Sequence, residues 1–420
     1  MRICLLFVML IAAMSADAQW KTRRIRSGDV RDMLSALSDD RMQGRRPLTP
    51  GIELAADYIA SSFKTSGLQP LTPGGDFRQR FQTFQSSVRE QSVSLNGQAL
   101  PASDFMIFAG TERIDWTDQG AEVVRLGTTG NPLQEAVGLI QGNRDLIVVA
   151  DTAQRRVLQR LRNARMQRMG SGRTVVIVFL AGDVKTYRVQ ATATVTRNAY
   201  ANVVGMIPGR TRPDEFVLFS AHYDHLGIGK PVGQDSIYNG ANDDASGTTA
   251  VMALARLFAR GAGPERTLVF AAFTAEESGG YGSRYFSQQF DPRKVQAMFN
   301  IEMIGTESKW GRGSAYITGF EKTDFGTILQ RNLEGTGFVF HPDPYPAQNL
   351  FYRSDNATLA ALGVPAHTIS TSKMDSEKYY HTVDDEIGTL DIDNMTEIIR
   401  AIALSSISIV QGKDTPSRVK

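Results

Sequence analysis

Five histidines occur in 420 residues, and all lie between His222 and His381. Two fall in the run His222-Tyr223-Asp224-His225 and one in Tyr380-His381-Thr382. Carboxylates accompany them in Asn242-Asp243-Asp244, in the pair Glu276-Glu277 and at Glu302. Imidazoles and carboxylates from five separate stretches suit a hard-to-borderline divalent ion, zinc most often in an exported protein. Each stretch alone has an ordinary explanation. An Asp ahead of a helix is commonly a cap, an adjacent Glu pair is commonly solvated charge, and a single His usually belongs to a core or a surface. Gathered at one edge of a fold, they are better explained by chemistry.

Such ligands need rigid supports, and the chain from about residue 200 supplies them. Near-continuous apolar runs at 201–205, 216–220, 267–271 and 297–301 read as strands buried on both faces. Helical patterns lie between and after them, at 247–260, 282–290 and 394–409. The alternation predicts an α/β fold: a mixed, largely parallel sheet sandwiched by helices. In such sheets sites form beyond the carboxyl ends of the strands. His222, Glu276-Glu277 and Glu302 each follow a strand, and Asp243-Asp244 opens the helix at 247–260.

Upstream, residues 19–88 read as the first part of the same domain, with a helix through Ala55–Phe63 that Gly67 closes. Residues 89–199 change character and read as an inserted, smaller β-rich module with apolar runs at 146–150 and 174–180. Between those runs, residues 155–168 carry Arg155, Arg156, Arg160, Arg162, Arg165 and Arg168 without an acid. We read them as the solvated face of a surface helix whose apolar stripe is Val157, Leu158, Leu161 and Met169. Residues 412–420 read as a flexible tail.

Composition sets outer bounds. With 42% hydrophobic and 21% charged residues the chain is neither disordered nor fibrous, and a net charge of +2 gives no field for nucleic acid. Arg2, the apolar stretch from Ile3 to Met14, and Ala16-Asp17-Ala18 form a tripartite export signal over 1–18. Its apolar part is well short of the ~20 residues that span a bilayer. The expectation is a periplasmic or extracellular protein without stable membrane insertion. The single cysteine, Cys4, lies inside the signal, so no disulfide holds the remainder together.

The ordered strings His222-Tyr223-Asp224-His225-Leu226-Gly227, Tyr238-Asn239-Gly240-Ala241-Asn242-Asp243-Asp244-Ala245-Ser246-Gly247, Thr274-Ala275-Glu276-Glu277 and Tyr380-His381-Thr382 resemble the two-zinc aminopeptidases of metallopeptidase family 28, clan MH. The resemblance covers about 41–70 and 200–411. It implies a zinc exopeptidase fold, two zinc ions, and peptide or protein N-termini as substrate. By position, Asp243 would bridge the ions, His222 and Glu302 would complete one site, and Glu277 and His381 the other. Glu276 would be the general base, and the Asp243–Asp244 peptide would be cis. Relatives often carry a protease-associated or other β-rich insert where 89–199 falls. His225 matches no ligand role and is read as structural, as are His341 and His367.

Asp224, two residues after His222, points to the same side of an extended strand, which suits a carboxylate that orients the imidazole. Asp244 is taken as a supporting carboxylate beside Asp243. Tyr380 is a candidate donor to the tetrahedral oxyanion. Two departures from the pattern stand out. Glu302 occupies a position where many relatives have Asp, and Asn356, in Arg353-Ser354-Asp355-Asn356, one where many have His. Arg353 and Asn356 are taken as substrate-binding pocket wall. A glutaminyl cyclase of the same fold and a non-catalytic binding module are the competing readings. Carboxypeptidase and dipeptidase specificity also stay open here. Neither a G-x-S-x-G elbow nor an H-E-x-x-H helix is present.

Overall fold

The computed structural model describes Thr22 and residues 24–162, 166–170 and 172–420. The export signal read over 1–18 and Arg165 lie outside them. The described chain forms two compact units, one from residues up to 80 together with 200–420, the other from 81–199. The boundary thus falls at Phe81 rather than at 89. The strand Arg78–Leu95 runs through that point, so composition marks no break there.

The first unit is built on strands β1 (Tyr187–Ile207, by its carboxyl end), β2 (Arg212–His222), β3 (Arg266–Phe273), β4 (Val295–Ile301), β5 (Ser314–Ile317), β6 (Val339–Pro342) and β7 (Ala366–Ser370). They lie in the order β6-β5-β7-β4-β2-β3-β1. The pairs β7–β4, β4–β2 and β2–β3 are parallel, whereas β3 meets residues 203–207 of β1 antiparallel. Four neighbouring strands therefore end at one edge, and the ligand stretches leave from it.

Period-2 alternation divides each central strand between two cores. Val217, Phe219 and Ala221 of β2, with Leu268, Phe270, Ala297 and Phe299, pack against helices α1 (Ser27–Leu37), α2 (Pro50–Ser66), α3 (Gly247–Ala259) and α6 (Ile392–Val410). The ring of Phe219 stacks on Phe299 at 4.9 Å and on Phe270 at 5.4 Å between centroids. Leu218, Val269, Ala271, Phe273 and Met298 face the other way, onto Phe286 of α4 (Tyr281–Ser287). Another helix, α5 (Phe325–Asn332), covers β6 and packs on α6. Pro50 starts α2 with the φ it needs, and Gly67, at φ 87°, ends it in the left-handed region.

The tail expected to be flexible is docked. Val419 N–H donates to the Gly363 carbonyl at 3.1 Å, Arg418 donates to the Val295 carbonyl at 2.7 Å, and Arg331 pairs with Asp414 at 2.6 Å. Buried Arg266 of β3 donates to the carbonyls of Ile409 and Asp414. A buried guanidinium needs such partners, and these residues supply them.

The unit 81–199 holds a four-stranded sheet in the order Phe105–Phe108, Val175–Phe179, Leu146–Ala150, Glu122–Arg125, antiparallel only in its first pair. Helix Pro132–Ile140 covers one face. The expected basic helix is short and broken: Arg155–Leu158 is helical and Gln159–Leu161 is a tighter turn. Leu158 and Leu161 are buried as the stripe requires, but Arg155 pairs with Asp104 at 2.8 Å. Arg168 lies in the strand Arg168–Met169, buried over the ring of Phe84. The arginines are therefore not one solvated face. No helix among the described residues is long and apolar enough to cross a membrane.

Candidate metal centre

Strand β2 ends on His222 and delivers its ring, buried, to the sheet edge. The ring Nδ1 lies 3.0 Å from the backbone carbonyl oxygen of Asp224. A carbonyl only accepts, so Nδ1 carries a proton, and Nε2 is the nitrogen turned toward the cluster. Nε2 sits 3.2 Å from Asp243 Oδ1. The carboxylate of Asp224, expected to orient this ring, is 3.9 Å from Nδ1 and instead accepts the Glu276 N–H at 3.1 Å. The chain leaves the strand after His222, so the spacing of two no longer sets direction, and the carbonyl does the orienting.

Asp243 comes from an irregular turn, Ala241–Ser246, ahead of α3. Asp385 braces that turn, its two oxygens accepting the N–H groups of Asn242 at 2.8 Å and Asp243 at 3.0 Å. The Asp243–Asp244 peptide is cis. Asp244 accepts from Gly247 N–H at 2.9 Å and Met303 N–H at 3.0 Å, which ties α3 to the residue after Glu302. Beneath the turn the buried guanidinium of Arg45 donates to the carbonyls of Leu37, Tyr223, Asn239 and Gly240. Arg45 and Asp385 were not singled out from sequence, where nothing separates them from other charged residues.

Glu277 and His381 close the cluster. His381 Nε2 lies 3.2 Å from Asp243 Oδ2 and 3.1 Å from Glu277 Oε1. The two oxygens of Asp243 thus face different imidazoles. His225, read as structural, has its ring here as well. It is fully buried, with Nδ1 3.0 Å from Glu277 Oε1 and 3.8 Å from Asp243 Oδ2. His225, Asp243 and Glu277 can offer ligand atoms all within 4.8 Å of one another. The signal for His225 was its place in the same strand-end run as His222. His341, stacked on Trp310, and His367, bonded to Thr323 and Thr318, lie elsewhere.

A pocket of about 80 Å³ opens on the cluster, lined by Asp243, Glu276, Glu277, Glu302 and Tyr380, with Met303, Leu350, Met374 and Arg353 among the other walls. Tyr380 stacks on His381 at 3.8 Å between centroids. Arg353 is exposed and donates to Gln348 Oε1 at 3.4 Å. Asn356 does not line the pocket. Its amide donates to the carbonyls of Phe351 and Ala366, and its oxygen accepts from Thr368, so the residue is spent on fastening the loop to β7. Ser354 stands on the wall instead. A larger cavity, about 410 Å³, lies within the unit 81–199 and is lined by no acid or histidine.

Electrostatics set these groups apart. Burial pushes Glu276 well above the carboxylate range, against the pull of His222. Burial likewise pushes Glu302 up to about 7 and Asp224 to about 7. Burial alone would raise Asp243, but contact with His222 and His381 holds it well below. The same contacts overcome burial at the two histidines, taking His222 well above its ordinary value and His381 to about 10. Buried oxygens of Glu302, Asp244 and Asp224 also lack any hydrogen-bond partner. So many apposed carboxylates without a cation among them fit a divalent ion. Three residues beside the ligands or among them, Ala275, Met303 and His381, adopt φ of 59°, 52° and 58°. Left-handed backbone at non-glycine positions costs about 1–3 kcal/mol each and concentrates at functional sites.

Residues 202–405 match the model of peptidase family M28. Leucine aminopeptidase 1 of Ajellomyces capsulatus is 30% identical over 216 residues, 47% of this chain and 52% of that protein. A probable zinc metalloprotease of Pyricularia oryzae is 36% identical over 110 residues, 26% of this chain and 22% of that one. The chain thus spans between about a fifth and a half of these relatives. The fold is similar to the aminopeptidase from Aneurinibacillus sp. strain AM-1, with TM-score 0.56 and 18% identity over 93% of this chain and 95% of that one. It is also similar to a peptidase M28 precursor from Shewanella amazonensis, with TM-score 0.55 and 16% identity over 97% and 98%.

Proposed function

We propose that this chain, whose residues 202–405 match the model of peptidase family M28, is a zinc-dependent aminopeptidase that hydrolyses the first peptide bond of substrates with a free N-terminus. The observation that carries this reading is Asp243, whose two oxygens each face a different imidazole while Glu276 stands beside them on the pocket wall. Two zinc ions would be held between His222, Asp243 and Glu302 on one side and Asp243, Glu277 and His381 on the other. Bound there, zinc would polarise the scissile carbonyl and acidify a water molecule.

The chain's own residues supply the rest. Glu276 takes the proton of the attacking water and passes it to the leaving amine, a role suited to a carboxylate whose proton affinity burial has raised. The Asp224 carboxylate holds the Glu276 N–H, which fixes where the base points. Tyr380, on the pocket wall, would donate a hydrogen bond to the oxygen that gains charge during attack. Met303, Leu350 and Met374 offer apolar walls to the N-terminal side chain, and the excess of carboxylates favours a free, cationic amine.

The test is amino-acid release from unblocked peptides and from their N-acetylated counterparts, with and without chelator. We expect release only from free N-termini, lost on chelation and restored by zinc. Equal cleavage of both sets, or none by zinc-loaded protein, would overturn the assignment.

A further inference from the structure

We propose that His225 is a fourth protein ligand that closes the metal position formed by Asp243, Glu277 and His381, so that the two positions of the centre differ in kind. The inference rests on the zinc reading above and goes beyond it, because that reading gives His225 no part. The ring is fully buried, and neither nitrogen makes a hydrogen bond. Nδ1 nonetheless stands 3.0 Å from Glu277 Oε1. A buried imidazole left in that condition is costly, unless something absent from the polypeptide takes its lone pair.

The donor separations say what that is. Ligands about 2.1 Å from a tetrahedral zinc stand about 3.4 Å from one another. Around this position the separations are 3.2 Å from Asp243 Oδ2 to His381 Nε2 and 3.1 Å from His381 Nε2 to Glu277 Oε1. They are 3.0 Å from Glu277 Oε1 to His225 Nδ1 and 3.8 Å from His225 Nδ1 to Asp243 Oδ2. The two imidazoles are inclined at 67°, as rings converging on one point would be. The fold also makes room for this ring. A Cβ at Gly240 would lie 2.5 Å from its Cγ and Cδ2, and the His225 N–H is held by the Arg45 carbonyl at 3.3 Å.

Four protein ligands leave no place for water, which is the mark of a structural zinc site, whereas a catalytic site keeps a position open. The open position is then that of His222, Asp243 and Glu302, and the ion at His225 serves to hold Asp243 and Glu277 in place.

The experiment is a titration of the metal-free full chain with cobalt, followed by visible absorption and by competition with a chromophoric chelator. The first equivalent should show the strong bands of four-coordinate cobalt, both in the unaltered protein and in His341→Ala. In His225→Ala those bands should give way to weak ones, and the affinity for that equivalent should fall at least about tenfold. Weak bands in the unaltered protein would overturn the proposal without reference to any variant. So would an unchanged first-equivalent spectrum in His225→Ala. If two ions bind and free N-termini are cut while those cobalt results fail, only the closed position falls. If no metal binds, the peptidase reading falls with it.

Discussion

Glu276 and Glu277 are neighbours in sequence, yet one meets two imidazoles and the other meets none. Glu277 lies 3.0 Å from His225 and 3.1 Å from His381, while the N–H of Glu276 is pinned by Asp224. Glu276→Gln keeps size and hydrogen bonding but removes the proton acceptor, so peptide hydrolysis should fall by about 10²–10⁴-fold with bound metal unchanged. Loss of metal in that variant would show that Glu276 is a ligand instead. His222, Asp243, Glu277 and His381 could be picked out from sequence because their chemistry resides in residue type. Asn356 misled because a carboxamide in a loop looks the same whether it faces a substrate or its own backbone. In the structure it bonds to Phe351, Ala366 and Thr368. Asn356→Ala should therefore cost about 1–3 kcal/mol of stability, through carbonyls left unpaired, and lower the melting temperature without a selective rise in KM.

At the scale of elements, the strand ends were legible because apolar runs buried on both faces leave little choice but a central sheet. The turn that carries Asp243 was legible only in part, since its shape depends on Asp385 and on a glycine. Gly240 has φ 56°, and a side chain there would meet the Asp243 carbonyl oxygen at 2.2 Å as well as the His225 ring. Gly240→Ala should accordingly lower zinc affinity or prevent folding, and tight zinc binding by a well-folded Gly240→Ala protein would contradict the account. The docked tail and the broken basic helix escaped the sequence reading for a shared reason. Each depends on partners far away in the chain: Gly363 and Val295 for the tail, Asp104 for Arg155.

For the molecule as a whole, the buried acids set how stability varies with pH. Burial puts Asp224 and Glu302 at about 7 and Asp385 at about 6. Without metal, the folded protein keeps protons on these groups that the unfolded chain releases near pH 4. Their stabilisation is complete below about pH 4 and is lost as pH rises through about 6–7. His222 and His381, both raised, lose theirs in the same direction as pH climbs past about 6.5. His367, lowered to about 4 by burial, acts oppositely, but only up to about pH 6.5, above which the unfolded chain's imidazole is neutral too. The melting temperature of metal-free protein should therefore fall between about pH 5.5 and about pH 8, and zinc should abolish or reverse the fall. A metal-free melting temperature that climbs over that range would refute this assignment of burial.

The order in which the site's parts occur along the chain has a consequence for how the protein is made. Arg45 is synthesised long before the carbonyls of Tyr223, Asn239 and Gly240 that it will hold, and His381 and Asp385 come after every other member of the cluster. A growing chain can pair β2 with β3 and β4 while His381 is still unmade, but it has only part of the cage. Capture of the metal thus waits for His381, and a translation product truncated before it would carry the strands without that ligand.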